Sequence, residues 1–102
     1  MVGQTLAQKI VAKACGKDRV NAGEVEIANV DLAMIHDSGG PRRVKPILER
    51  LGVDVWSSEK IVVVTDHYVP EFNAETKAIQ KLTRDWVKAH NIQSFYDQMG
   101  IC

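Results

Sequence analysis

At 102 residues the chain has room for at most one domain. Its 45% hydrophobic and 25% charged content is that of an ordinary globular protein with a thin core. The 13 basic and 13 acidic residues cancel, which argues against a nucleic-acid partner, because such binders carry a clustered basic excess. Arg42, Arg43 and Lys45 come nearest to a basic cluster, and Pro41 and Val44 dilute it.

Two cysteines, Cys15 and Cys102, are too few and too far apart for a disulfide framework or a metal knuckle. The amino-terminal stretch lacks the apolar run of a signal peptide, and no segment approaches the roughly 18 apolar residues of a membrane span. A cytoplasmic protein without a membrane partner is expected.

The first predicted element is a helix over residues 5–15. Thr5 and Gln8 fit a capping box, Leu6, Ile10, Val11 and Ala14 recur at helical spacing, and Gly16 can close the helix. Residues 20–23, VNAG, are turn chemistry. From Glu24 the period changes to two. Val25 and Ile27 alternate with glutamates, and the run Val30 to Ile35 follows, predicting an extended segment that becomes buried as it proceeds.

That segment ends in His36-Asp37-Ser38-Gly39-Gly40, a polar loop. Pro41 can open a helix with Val44, Ile47, Leu48 and Leu51 on one side and Gly52 at its end. Pro46 removes a ladder hydrogen bond, so a kink or a start near Lys45 is expected. Val53 to Trp56 reads as a short extended piece, and SSEK turns the chain. Ile61 to Thr65 is too short and too rich in valine for a helix, and it reads as a parallel-sheet strand buried on both faces. Asn73 caps a third helix with Ile79, Leu82, Trp86 and Ala89 along one side and Asn91 at its end. A short strand is expected within residues 92–102. Alternating helices and strands predict an α/β fold with a parallel-type sheet.

The chemistry-bearing residues sit where two strands stop. Residues 30–35 end in His36-Asp37, and the second strand ends in Asp66-His67. In parallel α/β sheets ligands bind beyond the carboxyl ends of the strands, so the two pairs can meet in one cleft. A carboxylate beside a histidine fixes its tautomer and raises its pKa, which suits proton donation or anion binding. A plainer reading stands beside this one. Asp66 can cap the following turn, and His67 can be an ordinary surface residue. A metal site of His36, His67 and an aspartate is conceivable, and with it metal-dependent hydrolysis. Residues 38–40, SGG, before a helix can cradle an oxyanion or simply turn the chain. His90 at a helix end and Trp86 within a helix read as structural.

Three stretches together carry a family likeness: GQTLAQKIVAKACGKDRVNAGEVEIANVDLAMIHDSGGP, EKIVVVTDHYVP and NIQSFYDQMGIC. They resemble the beginning of the aconitase-family large subunits, in the branch of 3-isopropylmalate dehydratase, homoaconitase and dimethylmaleate hydratase. The resemblance implies an α/β fold, a partial three-layer domain with a mostly parallel sheet flanked by helices, and a hydro-lyase of hydroxy di- or tricarboxylic acids. It implies a four-iron, four-sulfur (4Fe–4S) cluster in the full-length parent, with partners in the remaining large-subunit domains and a separate small subunit or domain.

By the family pattern, Asp66 and His67 match the catalytic pair that assists departure of the hydroxyl, with Asp66 orienting His67. His36 matches a substrate-binding position near a carboxylate, and Asp37 lies beside it. The family's cluster cysteines lie far downstream, and neither Cys15 nor Cys102 matches them. Residues 1–102 are therefore expected to be one incomplete domain, holding no cluster and inactive alone. The alternative is a stand-alone binding or scaffolding module with an aconitase-like fold and no catalysis.

Overall fold

The computed structural model describes residues 3–97. The chain divides after Asp31 into two compact units, each considered by itself.

In the first unit, α1 (Leu6–Cys15) forms where the caps direct it. Thr5 accepts from the Gln8 N–H, the Gln8 side chain accepts from the Thr5 N–H at 2.8 Å, and Gly16 closes the helix at φ 69°. Its apolar stripe is not a core: Leu6 and Ile10 are exposed, and Ala12 is the buried helical position. Residues 17–31 form no strand. Side-chain and end contacts hold them instead. Gln4 Nε2 donates to the Val20 carbonyl at 2.6 Å, the Asn29 N–H to that of Ala14 at 2.9 Å, and Lys17 pairs with Glu26 at 2.7 Å. The strand expected around residues 24–27 is therefore absent. Val25 and Ile27 are more than nine-tenths exposed, and an alternating pattern without a neighbouring ladder has nothing to pair with.

The second unit is α/β. Strands β1 (Ala33–His36), β2 (Ile61–Val64) and β3 (Ser94–Tyr96) form a parallel sheet in that order, with Ile35, Val63 and Phe95 in register. Helix α2 (Pro41–Leu51) connects β1 to β2, and α3 (Ala74–Ala89) connects β2 to β3. With strands in sequential order, right-handed crossovers bring both helices to one face, where they pack together. The core there is Val63, Trp86, Val87 and Ile92, flanked by Ile35, Val44, Leu48, Val55, Ile61 and Phe95. Val63 is fully buried, but Ile61, Val62 and Val64 are only partly so, which corrects the expectation of a strand buried on both faces.

Other local expectations were met or shifted. Helix α2 starts at Pro41 and runs through Pro46, instead of starting near Lys45, and Gly52 closes it at φ 67°. Val44 and Leu48 face the core, whereas Ile47 and Leu51 are exposed. Residues 53–56 form no strand, and Trp56 is exposed with the Lys60 ammonium 4.9 Å from its ring centre. Residues 58–60 make one 3₁₀ turn.

Asn73 caps α3 through the Thr76 N–H, as expected. The buried stripe of α3 is Thr76, Ile79, Gln80, Thr83, Trp86 and Val87, while Ala89 is exposed. Trp86 is core, and His90 ends the helix with its Nδ1 2.6 Å from Asp54. No helix among the described residues is long and apolar enough to cross a membrane.

Candidate functional site

Both acid–imidazole pairs lie at the carboxyl ends of adjacent parallel strands, and they meet. The His36 and His67 rings stack with centroids 4.1 Å apart and planes 17° from parallel. The strand pairing accounts for the encounter. His36 stands opposite Val64 in the β1–β2 ladder, and the Asp37 N–H continues it by donating to the Val64 carbonyl at 3.1 Å. Three residues after Val64 the chain reaches His67.

The loop after β1 is a tight turn over His36. The Gly40 N–H donates to the His36 carbonyl at 2.7 Å, and a Cβ at Gly40 would collide with that same oxygen. Only glycine allows this approach. The turn also fixes the imidazole. His36 Nδ1 lies 2.8 Å from Ser38 Oγ and accepts, at 3.4 Å, from the Gly39 N–H. An Nδ1 that accepts places the proton on Nε2, so His36 presents an outward donor. The SGG stretch thus serves as a histidine-holding turn.

His67 is held the other way. Its Nδ1 lies 2.6 Å from Asp66 Oδ1, so Nδ1 carries the proton and Nε2 is the atom that gains or loses one. Asp66 bonds it, and although partial burial opposes the charged form, the charges of Asp66 and Asp37 add to the bond and raise the His67 pKa. The two rings are half-buried and exposed respectively, and they lie side by side, His36 bonded at Nδ1 by its own turn and His67 at Nδ1 by Asp66.

Asp37 occupies a different place from the other three. It is fully buried. Its carboxylate accepts from the His67 N–H at 3.1 and 3.3 Å, from the Tyr68 N–H at 2.9 Å and from Gln80 Nε2 at 2.6 Å. Burial works against ionisation here, yet the bonds from Tyr68, Gln80 and His67 outweigh it and hold the carboxyl below the usual aspartate range. Gln80 escaped the sequence reading because a polar residue in a helical stripe looks like a solvated position. Its one signal was phase: it falls four residues after Thr76 and one turn before Thr83, on the face that Ile79 marks as buried.

The neighbouring loop is tied down on its far side. Arg42 at the start of α2 donates to the Tyr68 hydroxyl at 3.0 Å. Arg84 bridges Glu71 at 2.7 Å and Asp97 at 2.6 and 3.1 Å. A groove of about 760 Å³ lies elsewhere, between α2 and α3, lined by Leu48, Leu82, Trp86 and His90 among others. It holds a separate pair, His90 and Asp54, and none of the four residues at the strand ends.

Donor atoms of His36, Asp37, Asp66 and His67 all lie within 4.8 Å of one another. Imidazole and carboxylate donors suit a single zinc or iron ion, whereas a 4Fe–4S cluster takes thiolates. Cys15 is the one cysteine among the described residues, and it belongs to the first unit. These donors therefore do not fit as ligands of such a cluster.

No protein-family model matches the chain. Curated relatives do. It is 44% identical to a probable 3-isopropylmalate dehydratase large subunit of Methanothermobacter thermautotrophicus over 99% of its own length and 24% of the relative's. It is 43% identical to the 3-isopropylmalate dehydratase large subunit 1 of Methanopyrus kandleri, with the same coverages. A probable methanogen homoaconitase large subunit of Methanothermobacter thermautotrophicus is 38% identical, over 100% of this chain and 25% of the relative. The chain thus spans about a quarter of the length of the relatives it matches. Nearly all of it corresponds to an amino-terminal segment of aconitase-family large subunits, in the branch that holds 3-isopropylmalate dehydratase and homoaconitase.

Proposed function

We propose that this chain supplies acid–base and substrate-contact groups to a hydro-lyase of hydroxy di- or tricarboxylic acids, such as 3-isopropylmalate. One observation carries the reading: two imidazoles, one held by a turn and one by a carboxylate, stacked 4.1 Å apart at the mouth of a parallel sheet. In dehydration the C–O bond breaks with both electrons on oxygen. His67, protonated on Nε2, gives its proton to that oxygen, and water leaves. Asp66 keeps the ring oriented and favours the imidazolium that must form before each turnover. His36 Nε2–H is the donor for a substrate carboxylate next to the leaving hydroxyl.

Asp37, with its lone pairs already used by three N–H groups, stands behind this contact and not at it. The base that takes the carbon-bound proton, and any cluster with its thiolates, belong to the rest of the large subunit and to a small subunit. In this reading the 102 residues form part of one larger cytoplasmic domain, inactive by themselves.

The test is kinetic, on the assembled large and small subunits turning over 3-isopropylmalate. His67→Ala is expected to lower kcat by about 10²–10⁴. His36→Ala is expected to act mainly on KM. Unchanged kcat in His67→Ala would remove the acid–base assignment.

A further inference from the structure

We infer that Asp37 and Gln80 form a buried bracket that sets where the His67 ring lies against His36, making both of them positioning residues. The two come from distant places, the end of β1 and the middle of α3, and both are fully buried. Together they hold the loop after β2 by three backbone groups. Asp37 takes the N–H groups of His67 and Tyr68, and Gln80 Nε2 donates both to Asp37 and, at 3.1 Å, to the Tyr68 carbonyl. His67 is thereby fixed at its backbone by Asp37 and at its ring by Asp66.

The cost borne by Gln80 supports this role. Its Oε1 is buried with no hydrogen-bond partner among the described residues. An unsatisfied buried oxygen on a core-facing helix position disfavours the fold, and an aliphatic residue of similar size would pack there without it. What glutamine supplies in return is the donor at Nε2, aimed at a carboxylate and a carbonyl that both belong to the site.

The purpose of the bracket rests on the acid–base reading of His67, but its geometry rests on hydrogen bonds alone, so the two can fail separately. The experiment uses the full chain with isotope-labelled histidine. It records the nuclear Overhauser effect between the His36 and His67 rings, together with the nitrogen shifts of each ring. Gln80→Met keeps the length and removes the donor, and it is expected to lose the inter-ring effect while the chain still melts cooperatively. Thr83→Val, at a fully buried position of the same helix whose hydroxyl bonds the Ile79 carbonyl, is expected to melt lower and keep the inter-ring effect.

An inter-ring effect and a His67 Nδ1 shift that survive in Gln80→Met overturn the inference, as does absence of the effect in the unsubstituted chain. Should Gln80→Met not fold, Asp37→Asn, of the same shape, is read with the same two outcomes. If His67→Ala leaves turnover untouched while Gln80→Met separates the rings, the chemistry falls and the positioning stands.

Discussion

His36-Asp37 and Asp66-His67 are the same two residue types in opposite order, each at the end of a parallel strand, and the fold uses them in opposite ways. At the first strand end the acid turns inward, is fully buried, and holds the backbone of the other pair. At the second the acid stays exposed and, among the described residues, its carboxylate holds its own neighbour's ring. The imidazoles differ accordingly. His36 takes its orientation from a glycine-rich turn, whereas His67 takes its from carboxylates at its Nδ1, Asp66 at 2.6 Å and Asp37 at 3.7 Å. A carboxylate is therefore a scaffold when three N–H groups surround it out of water, and a tuning group when it faces solvent beside one ring.

The sharpest way to break this comparison is Asp37→Ala. It leaves two backbone N–H groups without their acceptor and takes one of two acceptors from the Gln80 amide, and a loss of about 3–5 kcal/mol is expected in denaturant titration. Asp66→Ala should barely move the same midpoint. Equal losses would mean that the two acids do not differ in kind. Next in size is Gly40→Ala, whose Cβ would press on the His36 carbonyl, for which we expect about 1–3 kcal/mol. Gly39→Ala meets only His36 Cε1, at an ordinary 3.5 Å, and should be tolerated. Similar melting of the two would contradict the tight turn.

The smallest effect is a pH dependence that separates the pairs. His67 has its pKa raised, so the stabilisation from its Asp66 partner is complete below the ordinary imidazole value of about 6.5. That stabilisation fades as pH rises through the higher folded value. Asp37 has its pKa lowered, so its contribution is present above the ordinary aspartate value of about 3.9 and fades as pH falls through the lower folded one. Asp66→Asn should erase the first dependence and leave the second. Thermal melts of the two proteins across acid and neutral pH check this, and a retained upper dependence in Asp66→Asn would assign it to another group.

The local sequence carried much of this arrangement. Capping residues Thr5 and Asn73, the closing glycines Gly16 and Gly52, and Pro41 at a helix start each act within a few residues of themselves, so their signals need no knowledge of the rest of the chain. The valine run of β2 was legible for a related reason, because its length and β-branching exclude a helix without reference to partners. Val25 and Ile27 show the limit of the same logic. Their alternation is that of a strand, but a strand exists only where another backbone offers its N–H and C=O groups, and none does so here. Leu6 and Ile10 mark a second limit, since periodicity shows that a face is apolar and not that anything covers it.

By itself, the sequence determined the caps and closing residues of the helices, that two acid–imidazole pairs close two strands, and that the chain is related to large subunits of the aconitase family. Only the tertiary structure decided that the rings stack, that Asp37 turns inward while Asp66 does not, and that Gln80 joins them. The physical reason is range. Caps, turns and β-branching act over a few bonds, but a hydrogen bond between residues 37 and 80 depends on strand register, crossover hand and helix phase acting together, and no short stretch of the chain encodes all three.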